Sequence, residues 1–373
     1  VKWPGSDEGA SRPFASLLAR CTLERVPRGA GFACSGHVHI AHRICERINT
    51  HTILFMLNFA RLTESNDART LRRFGVAAVM GALLLGLTGC GDPAGNDVAL
   101  TAEVVEQSRE DMSTVYDTDC YASRESTLLT SGSPEDCTLT HPDAEFSVVM
   151  VGDSHSAHWL PPVEAIAEEE GWNLAYFGKR GCSFGDYVSD DGRIGAYEEC
   201  NVWNENLREH LREVKPDVVI VSSSSRTPLL EDGERLSKEA NEPARAEGMR
   251  KAWQGVVDDG SDLVAILDTP YLAIDSPKCL LENLGDTNAC SATYVDAVTN
   301  QPHPDKIAAS NVPEVETVQM ADQFCPGEET CYSYLRNNIV FRDGHHMTAS
   351  FALSLEDELA LRFKETEALS EHI

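Results

Sequence analysis

From residue 145 onward, short runs of almost unbroken apolar residues alternate with longer stretches of helical periodicity, and this alternation leaves few folds open. Residues 146–151, 173–177, 217–221 and 263–267 read as strands, with 315–320 as a short fifth. A strand that shows neither face to water has no polar–apolar alternation, so such runs belong to a parallel sheet covered on both sides. Residues 197–214 carry Trp203, Leu207 and Leu211 at i, i+4 and i+8, one face of a helix. Helices are also predicted over 157–170, 245–257 and 348–364. In the first of these, Pro161 and Pro162 are assigned to the opening turn, where a missing N–H costs least. In the last, Thr348 is a candidate N-cap. Residues 275–312 read as loop-rich. The expected fold is α/β: a three-layer α/β/α sandwich around a central, mostly parallel sheet, with disulfide-stapled loops. Ligands in such folds bind outside the carboxyl ends of the strands.

The first strand runs into Gly152, Asp153 and Ser154, and far downstream Asp343 and His346 stand three residues apart. A serine hydroxyl is a weak nucleophile until a base lies within hydrogen-bond reach. His346 can be that base, and Asp343 can fix its tautomer and stabilise the imidazolium. His345 stands at the wrong offset from Asp343 for this pairing. Gly-Asp-Ser alone is a common turn sequence. Order, spacing, the preceding strand and the cysteine pattern together carry the assignment.

This pattern resembles the SGNH (GDSL-like) hydrolase superfamily, and more closely the SGNH domain found C-terminal in acyltransferase-3 membrane proteins. There Gly-Asp-Ser-His is followed by a Trp, as in residues 152–159, and a Cys-Pro segment precedes Asp-x-x-His, as Cys325-Pro326 does here. The resemblance spans roughly residues 115–368. It implies an acyl-enzyme on Ser154, with His346 and Asp343 as base and orienter. It also implies an oxyanion hole built from the Ser154 N–H, a glycine matched here by Gly181, and an asparagine. The asparagine is missing: residues 222–225 are all serine, and Ser223 is the substitute donor chosen here. For Gly181 an ordinary turn is an equal alternative, and for Ser223 a polar loop is. His155, Trp159 and Arg226 are expected to meet substrate, the indole by stacking on a sugar ring, with packing roles as the alternative. Asp153 is expected to structure the turn. The implied function is an extracytoplasmic serine-dependent O-acyl esterase or transferase, acting on acetyl esters of cell-envelope carbohydrate. A non-catalytic carbohydrate-binding lipoprotein is the alternative. Implied partners are an acylated carbohydrate or glycan acceptor and a separate membrane acyltransferase. Neither a metal nor an organic cofactor is called for.

Charge is unevenly divided. Residues 1–90 hold 11 Lys+Arg against 6 Asp+Glu; residues 91–373 hold 20 against 54. A body this acidic repels phosphates, which argues against nucleic-acid binding. Arg72 and Arg73 precede an apolar run over 74–87 and then Leu87, Thr88, Gly89 and Cys90. A basic start, a short apolar core and small residues describe an export signal, and Leu-Thr-Gly-Cys resembles a bacterial lipobox. Residues 56–90 are therefore expected to be a lipoprotein signal peptide, with Cys90 lipidated and the product anchored on the cell membrane. Residues 91–114 read as a linker and 115–373 as the SGNH domain. Residues 1–55 show no sustained periodicity and read as disordered or as a misassigned upstream extension.

Eight cysteines follow Cys90: Cys120, Cys137, Cys182, Cys200, Cys279, Cys290, Cys325 and Cys331. An even number in an exported chain implies disulfides, with 105 connectivities open. Their clustering suggests four local pairs taken in chain order. Zinc is the rival reading, but Cys-x-x-Cys is absent and the histidines do not interleave with these cysteines at ligand spacing.

Overall fold

The computed structural model describes residues 100–192 and 195–373. The expectations for residues 1–55, for the signal peptide at 56–90 with its lipidated Cys90, and for 91–99 lie outside the described residues.

Seven strands form the central sheet: β1 (Tyr121–Ala122), β2 (Thr138–Thr140), β3 (Ser147–Gly152), β4 (Asn173–Lys179), β5 (Val218–Ser222), β6 (Asp262–Ile266) and β7 (Val315–Val318). Their spatial order is β1-β4-β3-β5-β6-β7, and every pairing along that path is parallel. The exception is β2, which pairs antiparallel with β4 beside β1. The central strands are buried on both faces because Val148 to Val151, Val218 to Val221 and Leu263 to Ile266 expose almost nothing. The expected α/β/α sandwich with a mostly parallel sheet is the fold observed.

The chain moves from β3 outward to β4, then crosses back past β3 to β5 and continues to β6 and β7. With right-handed crossovers, this reversal puts the connecting helices on opposite faces. One layer holds α2 (Ser154–Glu170), which packs with α7 (Ala349–Leu353) and α8 (Glu356–Lys364). The other holds α3 (Glu198–Val214), α4 (Lys238–Asp258) and α6 (Pro304–Ser310). α3 buries the predicted face of Trp203, Leu207 and Leu211. The reversal also leaves a crevice between the carboxyl ends of β3 and β5, where Gly152 pairs with Ser222.

Several boundaries differ from the sequence reading. The helix after β3 begins at Ser154, three residues early, because Asp153 caps it immediately. Pro161 and Pro162 are therefore interior and deprive the Ala157 and His158 carbonyls of their amide donors. Burial of ten residues of this helix carries it through the defect. α4 extends to Lys238 under the Ser237 cap and also contains Pro243. The closing helix keeps its Thr348 cap but breaks between α7 and α8. The stretch 275–312 contains α5 (Ser276–Glu282) as well as α6. Within the expected linker, α1 (Ala102–Gln107) is helical and packs on α5, with Val105 buried and Arg109 paired to Asp275 at 2.8 Å.

All four disulfides join the cysteines suggested by clustering: Cys120–Cys137, Cys182–Cys200, Cys279–Cys290 and Cys325–Cys331. Cys182–Cys200 closes 18 residues, fastening the loop after β4 to the start of α3. Replacing both cysteines by alanine is expected to lower unfolding free energy by about 3 kcal/mol, measured by urea denaturation under oxidising conditions.

Candidate active site

β3 feeds Ser154 directly onto the first position of α2, so its N–H has no acceptor within the helix. The turn demands a glycine. Gly152 has φ +147°, and a Cβ there would lie 2.0 Å from the Ser222 carbonyl oxygen. Asp153 then organises the surrounding loops. Its carboxylate accepts from His155 N–H at 2.8 Å, from Ser224 N–H at 3.0 Å and from the Ser183 hydroxyl at 2.8 Å. Arg245, fully buried on α4, holds the same two serines from the other side, donating to Ser183 Oγ at 3.3 Å and to the Ser224 carbonyl at 2.5 Å.

Ser154 Oγ lies 2.8 Å from His346 Nε2, and His346 Nδ1 lies 2.7 Å from Asp343 Oδ2. The spacing of three works because Asp343 Oδ1 also accepts the backbone N–H groups of His345 and His346. Burial would raise the Asp343 carboxyl, but the hydrogen bond and charge of His346 and these two N–H groups hold it well below the usual carboxylate range. Burial lowers the His346 imidazole from its ordinary value, against the opposing pull of Asp343. A neutral imidazole at neutral pH is what a base requires. Tyr116 donates to the Ser154 carbonyl at 3.2 Å, and Arg342 lies over the Tyr116 ring.

A second histidine–carboxylate pair stands beside the first. His155 Nδ1 lies 2.5 Å from Asp268 Oδ1, and His155 Nε2 lies 3.0 Å from His345 Nδ1. Burial would raise Asp268, yet His155, Arg226 and the Ser225 N–H outweigh it and hold this carboxyl well below the usual range. One ring nitrogen each of His155, His345 and His346 lies within 4.8 Å of the others, a grouping that can hold a metal ion.

The family model of the SGNH domain fused to AT3 domains matches residues 119–361. The chain belongs to this family. A search of curated proteins returns no match. Among solved structures, the chain is similar to the periplasmic domain of a lipopolysaccharide acetyltransferase from Salmonella ser. Paratyphi A, at 14% identity and TM-score 0.44, covering 60% of this chain and 85% of that one. It is also similar to a GDSL-like lipase from Bacteroides thetaiotaomicron, at 13% and 0.34, covering 60% and 90%. An acetyl xylan esterase aligns at 11% and 0.30, covering 57% and 98%.

The SGNH domain places the remaining expected residues unevenly. Trp159 is 0% exposed and packs edge-on to Phe324, so its indole is a core residue and no sugar platform. Its position one helical turn after His155 turns it inward with the buried face of α2. His155 is equally buried and meets Asp268 and His345 rather than the cleft. Arg226 is engaged by the Tyr271 ring, 4.1 Å away, and by Asp268 at 3.7 Å. Gly181 has φ +63°, and a Cβ there would meet the Arg124 guanidinium. The bonds that tie its block to the site run through Ser183 instead. Ser223 is buried, and its hydroxyl has no hydrogen-bond partner among the described residues.

Sequence reasoning gave no role to Asp268, Ser183, Arg245 or Tyr116. Asp268 carried a usable signal, an acidic residue immediately after a predicted strand on the ligand side of the sheet. Replacing Asp153 by alanine leaves the His155 N–H, the Ser224 N–H and the Ser183 hydroxyl without their shared acceptor. We expect a loss of roughly 3 kcal/mol or more in urea unfolding. Gly152→Ala is expected to prevent soluble expression or to abolish the Ser154–His346 geometry, read as loss of fluorophosphonate labelling at Ser154.

Proposed function

We propose that this SGNH domain is a serine-dependent O-acyl esterase or transferase working through an acyl-enzyme on Ser154. The observation that carries the reading is the hydrogen-bonded line Ser154 Oγ to His346 Nε2, then His346 Nδ1 to Asp343 Oδ2, at 2.8 and 2.7 Å. Ser154 Oγ attacks the ester carbonyl while its proton passes to His346 Nε2. The tetrahedral intermediate collapses as His346 returns that proton to the departing alkoxide. In the second half, His346 takes the proton of the acceptor hydroxyl, and Ser154 leaves with it. Water as acceptor gives hydrolysis; a hydroxyl of envelope carbohydrate gives transfer.

The developing oxyanion is met by the Ser154 N–H at the positive end of α2. The Ser223 hydroxyl, without a partner among the described residues, is the proposed second donor, and the Gly181 N–H is the third. The acyl group is proposed to be acetyl, delivered by a separate membrane acyltransferase, which the family's fusion to AT3 domains supports. An extracytoplasmic location is supported by the four disulfides, which persist in oxidising compartments. Anchoring through Cys90 completes the proposal.

The test is 4-nitrophenol release from its acetyl ester by the oxidised protein. Ser154→Ala and His346→Ala are each expected to lower kcat by about 10⁴-fold, with the folded state confirmed by circular dichroism. Asp343→Asn is expected to cost at least about 10²-fold, since it removes the acceptor that fixes the His346 tautomer. Activity that survives Ser154→Ala would overturn the assignment. A folded parent protein that neither hydrolyses esters nor transfers acetyl to a glycan would favour the carbohydrate-binding alternative.

A further inference from the structure

The sequence raises zinc only for the cysteines, with which the histidines do not interleave; the fold brings His155 against His345 across 190 residues. We propose that His155, His345 and His346 form a binding site for a zinc-class transition metal ion, and that filling it switches off the chemistry at Ser154. The switching half rests on the catalytic reading above. The binding half does not.

The donor nitrogens are nearly placed. All three lie within 4.8 Å of one another, and His155 Nε2 and His345 Nδ1 are already 3.0 Å apart. Tetrahedral zinc with Zn–N bonds of about 2.0–2.1 Å sets its nitrogens about 3.3 Å apart. Ring tilts and movements of about an ångström close the gap. Two of the three rings are also held as metal-bound histidines are, by a carboxylate on the other ring nitrogen. Asp268 holds His155 at 2.5 Å and Asp343 holds His346 at 2.7 Å. His155 forms the buried floor, while His345 and His346 are half-buried and reachable from solvent. Three imidazoles select Zn²⁺, Cu²⁺, Ni²⁺ or Co²⁺ over Mg²⁺ and Ca²⁺. The acidic body raises the local concentration of any divalent cation.

Occupation has a chemical consequence. The hydrogen between His155 Nε2 and His345 Nδ1 must vacate that position, moving to His345 Nε2 as the ring changes tautomer, and the His346 Nε2 lone pair, now directed at Ser154, must turn to the metal. The Ser154 hydroxyl then has no base. The fourth coordination position falls to water or to Ser154 Oγ.

The experiment is calorimetric titration of the oxidised, EDTA-treated and desalted protein with ZnCl₂, with MgCl₂ as control. One Zn²⁺ is expected to bind per chain and Mg²⁺ not to bind. His345→Ala and His345→Gln are each expected to weaken Zn²⁺ binding at least about 100-fold, with folding checked by circular dichroism. In parallel, Zn²⁺ is expected to inhibit 4-nitrophenyl acetate hydrolysis with an inhibition constant equal to the calorimetric Kd, and EDTA to reverse it. Absent binding, or binding that both His345 variants leave unchanged, overturns the site. Binding with unchanged or faster hydrolysis overturns the switch alone. A parent protein without hydrolytic activity overturns the catalytic reading, and the switch with it, while the calorimetry still decides the site.

Discussion

The buried carboxylate of Asp153 is the interaction on which the rest of the site depends. It is 1% exposed and sits between three strand ends, accepting from the helix that carries Ser154, from the loop after β4 and from the loop after β5. A carboxylate removed from water is costly unless its lone pairs are met. Here two backbone N–H groups and a hydroxyl meet them, and Arg245 holds the same two loops from the other layer. Ser154 is thus aimed by a network rather than by its own turn alone. Any motion of the β5 loop has to break charge-assisted hydrogen bonds before it can shift the nucleophile.

The sheet topology explains why so many polar groups converge there. Reversal of strand order between β3 and β5 opens a crevice at the carboxyl ends, and each adjoining strand contributes its first loop residues to it. β3 contributes Asp153 and Ser154, β4 contributes Ser183, β5 contributes Ser224 and Ser225, and β6 contributes Asp268. The segment before α7 then lays Asp343, His345 and His346 across the opening. Two histidine–carboxylate pairs come to share one small volume, one aimed at Ser154 and the other buried behind it. Disulfides fasten the outer loops to the elements beside them. Cys182–Cys200 does so beside Ser183, and Cys279–Cys290 closes the small cluster around Val105 and Leu280.

Much of this was legible in the chain. The apolar runs located the central strands to within a residue or two, and local clustering of the cysteines matched all four bridges. The errors have specific causes. Pro161 and Pro162 were placed in a first turn because propensity is local, whereas burial of the α2 face carries the helix past both. Trp159 was read as a surface for a sugar ring, with packing as the alternative, because indole faces stack on sugars. Its direction, however, is set by helical phase against the core, a property of the packed layers. Residues 91–114 were read as linker, yet within them buried Val105, the Arg109–Asp275 pair and Asp111, which accepts from the Ala349 and Ser350 N–H groups, dock the chain.

The sequence by itself determined the layered α/β architecture and the order of Ser154, Asp343 and His346, and the clustering of its cysteines suggested the four pairs. These depend on periodicity, on short spacings and on loops closed within about 20 residues. Tertiary structure decided the rest. It joined Ser154 to His346 and His155 to Asp268 and His345, and it made Asp153 the common acceptor of three loops. Such contacts span from tens of residues to nearly two hundred. They exist only after the sheet has brought its strand ends together, so no local pattern in the chain can encode them.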